Sequence, residues 1–240
     1  LVCQQAASKA LTADMPPAEL IDWIKSEVAA IDVPADDTID GYSLMVDARN
    51  RAEVAPEPWV IPGIVRRDWR VVIVGAEGVG KGYCLRQMVG CASQGVHPFR
   101  FTPIEPVNAL LVDAENPLSA IAITSHAVSN AAKAVSTRYD DNREHLFHQQ
   151  RGINIRNRRD RMNLETVLRK SRPELVCAGP LYKLCRAEKG EDAETAAAEA
   201  QDIFDDLRTR YGFALVLEHH AAKGSSGARE MAPFGSSLWL

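Results

Sequence analysis

The sequence predicts an α/β fold, a mainly parallel sheet flanked by helices, with a small helical appendage in front of it. Three observations carry that expectation. Short apolar runs recur at residues 71–74, 109–112, 175–178 and 213–217, separated by longer stretches patterned as helices, which is how strands buried on both faces of a parallel sheet read. The first run passes directly into a glycine-rich turn, GAEGVGKG, at residues 75–82. Apolar residues make up 46% and charged residues 25% of the 240, the balance of a chain able to bury one substantial core.

Taken in order, the N-terminal region shows Leu20, Trp23, Ile24, Val28 and Ile31 at helical spacing behind Pro16 and Pro17, so an amphipathic helix is expected there. The stretch AEVAPEPWVIPG carries three prolines, Pro56, Pro58 and Pro62. Proline lacks the N–H that helices and ladders use, so this stretch reads as an extended linker with a domain boundary near Pro56. Residues 1–55 are thus the appendage and linker, and 56–240 the α/β core. Residues 70–74 form the first core strand, and a helix begins at Tyr83. Between the third and fourth apolar runs, Ala196, Ala200, Ile203, Leu207 and Tyr211 make a helical stripe, the mark of a crossover helix. No internal repeat is present. The chain opens at Leu1 and closes inside the apolar run Leu238-Trp239-Leu240, so a strand cut short and a truncated C-terminal end are expected.

Several function classes recede on composition. The five cysteines, at positions 3, 84, 91, 177 and 185, form neither a CxxC pair nor a zinc-site spacing, which points to a reducing, cytoplasmic setting. No stretch reaches the roughly 18 apolar residues of a membrane span, and no basic-then-apolar leader opens the chain. A net charge of −4 supplies no general attraction for nucleic acid. Any DNA contact must come from local basic patches or from a ring of subunits.

A strand, then GAEGVGKG, then a helix is the context a phosphate loop requires. Glycines let the backbone curl so that N–H groups face phosphate oxygens, the helix N-terminus adds partial positive charge, and Lys81 reaches the β and γ phosphates. The expected ATP-binding residues are Gly75, Ala76, Glu77, Gly78, Val79, Gly80, Lys81, Gly82 and Tyr83. One position departs from the motif. The residue after the lysine should be Ser or Thr, whose hydroxyl holds Mg²⁺, and here it is Gly82.

The run at 109–112 leads into Asp113-Ala114-Glu115-Asn116-Pro117. Residues two apart on a strand share a face, so Asp113 and Glu115 are both expected at the carboxyl edge of the sheet, one for metal-bound water and the other to orient an attacking water. The competing reading is a solvated acidic strand end that caps the helix starting near Leu118. The phosphate loop in the same sheet favours the functional reading of Glu115. The fourth run leads into Glu218-His219-His220 and then a stretch rich in Ser, Gly and Ala. A polar side chain at such a strand end, ahead of a mobile loop, is placed to sense a γ-phosphate. Adjacent strand residues face opposite ways, which argues against one zinc ion shared by the two imidazoles.

Six ordered segments, WVIPG, GAEGVGKG followed by LRQ, LLVDAENP, LVCAGPLYKL, LEHHAAKG and PFGSSLWL, resemble the RecA-like P-loop ATPases of the RepA and DnaB type, including their actinobacterial and phage branch. The resemblance runs from about Trp59 to Leu240. It implies a RecA-like P-loop NTPase core, ATP and Mg²⁺ as ligands, Glu115 as the residue that activates water, and His220 as the γ-phosphate sensor. It also places Gly179 where RepA-like helicases carry a Mg²⁺-supporting aspartate, although glycine before PLYKL is common in the actinobacterial branch. Asp113 is then the candidate substitute for metal. The resemblance further implies a hexameric ring completed by a neighbour's arginine, expected beyond Leu240, and single-stranded DNA touched by loops matching residues 182–194 and 221–233. In those loops Lys183, Arg186, Lys189, Lys223 and Arg229 offer charge to phosphates and Tyr182 offers a ring to a base, with solvated loop charges and a core-packed Tyr182 as the alternative. A basic run at 151–172, with eight basic and two acidic residues, reads rather as a solvated surface. The functional expectation is a helicase-like replication motor. An ATP-responsive replication or helicase-loading factor with weak turnover is the second reading, and a small-molecule kinase the third.

Overall fold

A computed structural model describes residues 45–46, 59–149, 151–187, 189–223 and 229–233. The chain divides into two compact units, Leu1–Ala55 and Pro56–Leu240, and every element named below belongs to the second. The helix expected from Leu20 to Ile31 and the closing GSSLWL segment lie outside the described residues.

Strands β3 (Arg70–Gly75), β4 (Ala109–Asp113), β5 (Glu144–His148), β6 (Leu175–Gly179) and β7 (Ala214–Lys223) form a parallel sheet in the order β3-β7-β6-β4-β5. Strand β8 (Arg229–Pro233) pairs antiparallel with β7. Ahead of the sheet, β1 (Trp59–Ile61) and β2 (Val65–Arg66) make a small antiparallel ribbon. The helices are α1 (Lys81–Ser93), α2 (Leu118–Lys133), α3 (Arg158–Ser171), the single turn α4 (Leu181–Leu184) and α5 (Ala193–Tyr211).

Alternation along the central strands sorts the core into two layers. Ala109 and Leu111, Leu175 and Cys177, and Ala214 and Val216 face Leu85, Met88 and Val89 of α1. Their neighbours Leu110, Val112, Val176, Ala178, Leu215 and Leu217 pack with Leu164 and Leu168 of α3 and Ala200, Phe204 and Leu207 of α5. Each fully buried aliphatic side chain contributes about 1.5–3 kcal/mol relative to exposure, so both helix layers are fixed firmly to the sheet. Continued to the carboxyl ends of the strands, the same alternation sends Asp113, Gly179, Glu218 and His220 to the α1 side and His219 to the other. The crossover α5 starts at Asp192, whose carboxylate accepts the N–H of Thr195, and stops at Gly212, whose φ of 71° lies in the left-handed region that glycine tolerates.

Three expectations change. The stretch around Trp59 is not only a linker: Val60, Ile61 and Val65 are buried in the α1-side core, and Pro62 sits in the turn between β1 and β2, where no ladder bond is lost. Strand β5 was not expected, because at a sheet edge its residues are only half-buried or exposed and the segment EHLFH shows no apolar run. The fourth apolar run does not end in a loop at 221, since β7 continues to Lys223 and is paired by β8.

Candidate functional site

Strand β3 delivers its last residue, Gly75, buried at the carboxyl edge of the sheet. The chain then turns through Gly78 (φ 77°) and Gly80 (φ 90°) into α1. A Cβ at either glycine would meet nothing within 4 Å. Backbone conformation, rather than crowding, therefore demands glycine there, and the room beside the loop is open. The first intrahelical donor is Cys84, whose N–H reaches the Gly80 carbonyl at 2.9 Å, and no side chain caps the helix. The N–H groups of Lys81, Gly82 and Tyr83 are thus the orphan donors that every helix start presents, and these residues line an open cleft. Lys81 is 7% exposed, and its ammonium donates to the carbonyls of Gly75 (3.1 Å) and Ala76 (2.8 Å). It lies folded along the loop, within reach of any phosphate held there.

Across the cleft, Asp113 is the last residue of β4 and is buried. Both of its oxygens are engaged: Oδ1 accepts from the N–H groups of Glu115 (3.1 Å) and Asn116 (2.9 Å), and Oδ2 accepts from Arg86 (3.0 Å) and the Asn116 amide (3.1 Å). Arg86 is itself buried on α1, so the pair ties the helix to β4 and neutralises the carboxylate. Asp113 therefore organises the turn through both of its oxygens. Because β4 ends at Asp113, Glu115 lies beyond the strand and is exposed rather than sharing a strand face with it. Its carboxylate accepts a hydrogen bond from the hydroxyl of Tyr182. On the β5 side, His148 is 2.7 Å from the Asn116 carbonyl and holds the same turn.

Strand β7 supplies the rest. Its register sets Ile73 beside Glu218, Val74 beside His219 and Gly75 beside His220. His220 faces the cleft, with its ring 5.5 Å from that of Tyr182 in an edge-on arrangement. His219 is buried on the opposite side of the sheet, so the two imidazoles diverge as expected. The surprise is Glu218. It is 7% exposed, lines the cleft with Lys81, Gly82 and Glu115, and makes no hydrogen bond or ion pair among the described residues. Burial pushes its carboxyl up to about 7, with Asp113 and Glu115 adding to the rise and Lys81 and Arg86 opposing it. The Tyr182 hydroxyl is likewise raised, by burial first and then by its bond to Glu115. Glu218, Arg86 and the role of Tyr182 as partner of Glu115 were not read from the sequence. The signal for Glu218 was present, since it stands two residues before His220 and so shares its face.

Of the candidate DNA contacts, Lys183 lies 5.5 Å from the Tyr182 ring centroid, and Arg186 donates to the carbonyl of Arg151 (2.8 Å). Lys189 is exposed. The side chains of Lys223 and Arg229 are outside the described residues. Two arginines of the basic run are bound internally, Arg151 to Asp160 and Arg156 to Glu191 and Glu199.

The glycine cradle, the open helix start and the lysine fit a nucleotide's phosphates, and the acidic wall opposite them fits an accompanying Mg²⁺. A strand, a curled glycine loop and a helix N-terminus at the carboxyl edge of a parallel sheet define a P-loop nucleotide-binding protein. Residues 39–226 match the family described as AAA domain. The chain belongs to that family, and ATP binding with ATPase activity is its general character. Comparison with curated proteins gives no match. Among the described residues no helix is long and apolar enough to cross a membrane.

Proposed function

We propose that the chain is the ATP-hydrolysing core of a RecA-like, ring-forming motor that acts on single-stranded DNA in phage- or plasmid-type replication, in the manner of a helicase. The observation that carries this reading is the chain of contacts from Glu115 through Tyr182 to His220. It links the water-activating position to the segment that follows β6 and to strand β7, both of which lead to the loops where this class of motor meets its track. A small-molecule kinase has no need of such a linkage.

In the proposed reaction the orphan N–H groups of the loop and the Lys81 ammonium hold the β and γ phosphates and take up charge that develops on them. Glu115 accepts a proton from the attacking water, and Tyr182 fixes the orientation of its carboxylate. His220 reports the presence or loss of the γ-phosphate through its contact with Tyr182. Mg²⁺ would spread the negative charge of the phosphates, and the acidic wall opposite the loop would help to hold it. A factor with weak turnover remains the second reading, favoured by the missing hydroxyl at Gly82 and the missing carboxylate at Gly179.

Turnover of ATP with and without single-stranded DNA separates the two. The motor reading expects a DNA-stimulated rate. Glu115→Gln should keep nucleotide affinity and lower that rate about a hundredfold or more. A slow wild-type rate indifferent to DNA would leave the loading factor as the better account.

A further inference from the structure

Two places at the P-loop cleft lack the side chains that ordinarily support Mg²⁺, and one residue fills both. A hydroxyl after the loop lysine and an aspartate on a core strand are the usual protein supports for the metal of a bound nucleotide. Here those places are Gly82 and Gly179. A Cβ built on Gly82 would stand 3.2 Å from Oε2 of Glu218. A Cβ built on Gly179 would press into Cγ of Glu218 and stand 3.0 Å from its Cδ. The Glu218 side chain thus lies across the backbone of Gly179 and ends beside Gly82.

We propose that Glu218 is the carboxylate that supports Mg²⁺ in the nucleotide complex, reaching from β7 into the room that the two glycines leave. The proposal rests on the nucleotide site assigned above. Glu218 is buried to 7% exposure and has no hydrogen-bond or ion-pair partner among the described residues, although burying an unpaired carboxylate is costly. A cation brought in with the nucleotide supplies the missing partner. Donor chemistry agrees, because hard oxygen ligands suit Mg²⁺ and the metal needs only one or two carboxylates beside the phosphates and water. One ligand atom each of Glu218, Glu115 and His220 lie within 4.8 Å of one another, so the site has further oxygen and nitrogen close by. Asp113 is less suited, since Arg86 and three hydrogen-bond donors already occupy its oxygens.

The test uses the metal as probe. Nucleotide affinity is measured by calorimetry in EDTA, and Mn²⁺ binding to the protein with and without ATP is followed by electron paramagnetic resonance, for the wild type and Glu218→Gln. Expected is similar ATP affinity in EDTA and a loss of about ten- to a hundredfold in Mn²⁺ affinity of the ATP complex. Gly82→Ser added to Glu218→Gln should restore a good part of the loss, because the serine hydroxyl offers the metal an oxygen ligand in place of the lost carboxylate. Equal Mn²⁺ affinity in wild type and Glu218→Gln would overturn the proposal, as would equally tight Mn²⁺ binding to the wild type without ATP. If Glu218→Gln fails to fold, Gly82→Ser alone decides: a wild-type Mn²⁺ affinity supports Glu218 as the existing support, whereas a tenfold gain means the metal lacked one. Absence of ATP binding to the wild type in EDTA and in Mg²⁺ would instead refute the nucleotide site itself.

Discussion

Gly179 shows how a single hydrogen atom governs the site. Its position near the end of β6 is extended backbone, where alanine is ordinarily preferable to glycine by about 0.5–1 kcal/mol through the unfolded chain. Here the added methyl would run into the Glu218 side chain, and overpacking of this kind costs about 1–3 kcal/mol. The clash should win. Gly179→Ala is expected to destabilise the protein by about 1–2 kcal/mol, while the same change in a Glu218→Ala background should be neutral or stabilising. Urea midpoints of the four proteins check this, and an equal penalty in both backgrounds would mean that the two residues do not share the space. An aspartate at position 179 would likewise need the Glu218 side chain to vacate that space.

Among the elements, α3, the segment after α4 and α5 are joined by one side chain. Arg156, just ahead of α3, bonds Glu191 at 2.6 Å, Glu199 on α5 at 2.7 Å and the Arg186 carbonyl at 3.0 Å. Its side chain is 11% exposed while that of Glu199 is 53% exposed, so the pairing is strong on one side and screened on the other. Arg156→Ala should cost about 2–4 kcal/mol, below the upper range for buried pairs. Arg156→Lys should recover less than half, since an ammonium cannot reproduce the planar fork. Chemical denaturation measures the loss, and faster amide exchange around residues 186–191 would show that the clamp had held this segment. The clamp was invisible in the sequence, where Arg156 was one of eight basic residues in a run. By contrast β3, β4, β6 and β7 were legible because burial on both faces makes a strand a continuous apolar run. Strand β5 was not, because an edge strand needs no such run. In the site, the phosphate loop could be read because its parts are adjacent in sequence. Glu218 could not be weighed without knowing that Gly82 and Gly179, which lie 97 residues apart by their numbers, flank it in space.

At the scale of the whole molecule, charge decides how a chain of net charge −4 could hold DNA. Part of its positive charge is spent internally, on the pairs of Arg151 and Arg156. Helix α4 and the segment after it offer Lys183, Arg186 and Lys189. Three phosphates neutralised on a single strand give a salt slope of about −2, and hence an affinity loss of about fifteenfold between 50 and 200 mM salt. Such contact is weak for one chain. Two neighbouring chains on the same strand would double the slope to about −4, and a larger ring would steepen it further. Fluorescence anisotropy of a labelled oligothymidine, titrated at several salt concentrations with a non-hydrolysable ATP analogue, therefore reads the number of chains engaged as well as the affinity. A slope of −4 or steeper with nucleotide, falling toward −2 without it, is the expected result for an ATP-assembled ring. If no binding occurs at 50 mM salt with the analogue present, the DNA reading fails while the nucleotide site stands. The linkage of Glu115, Tyr182 and His220 would then have to serve a protein partner.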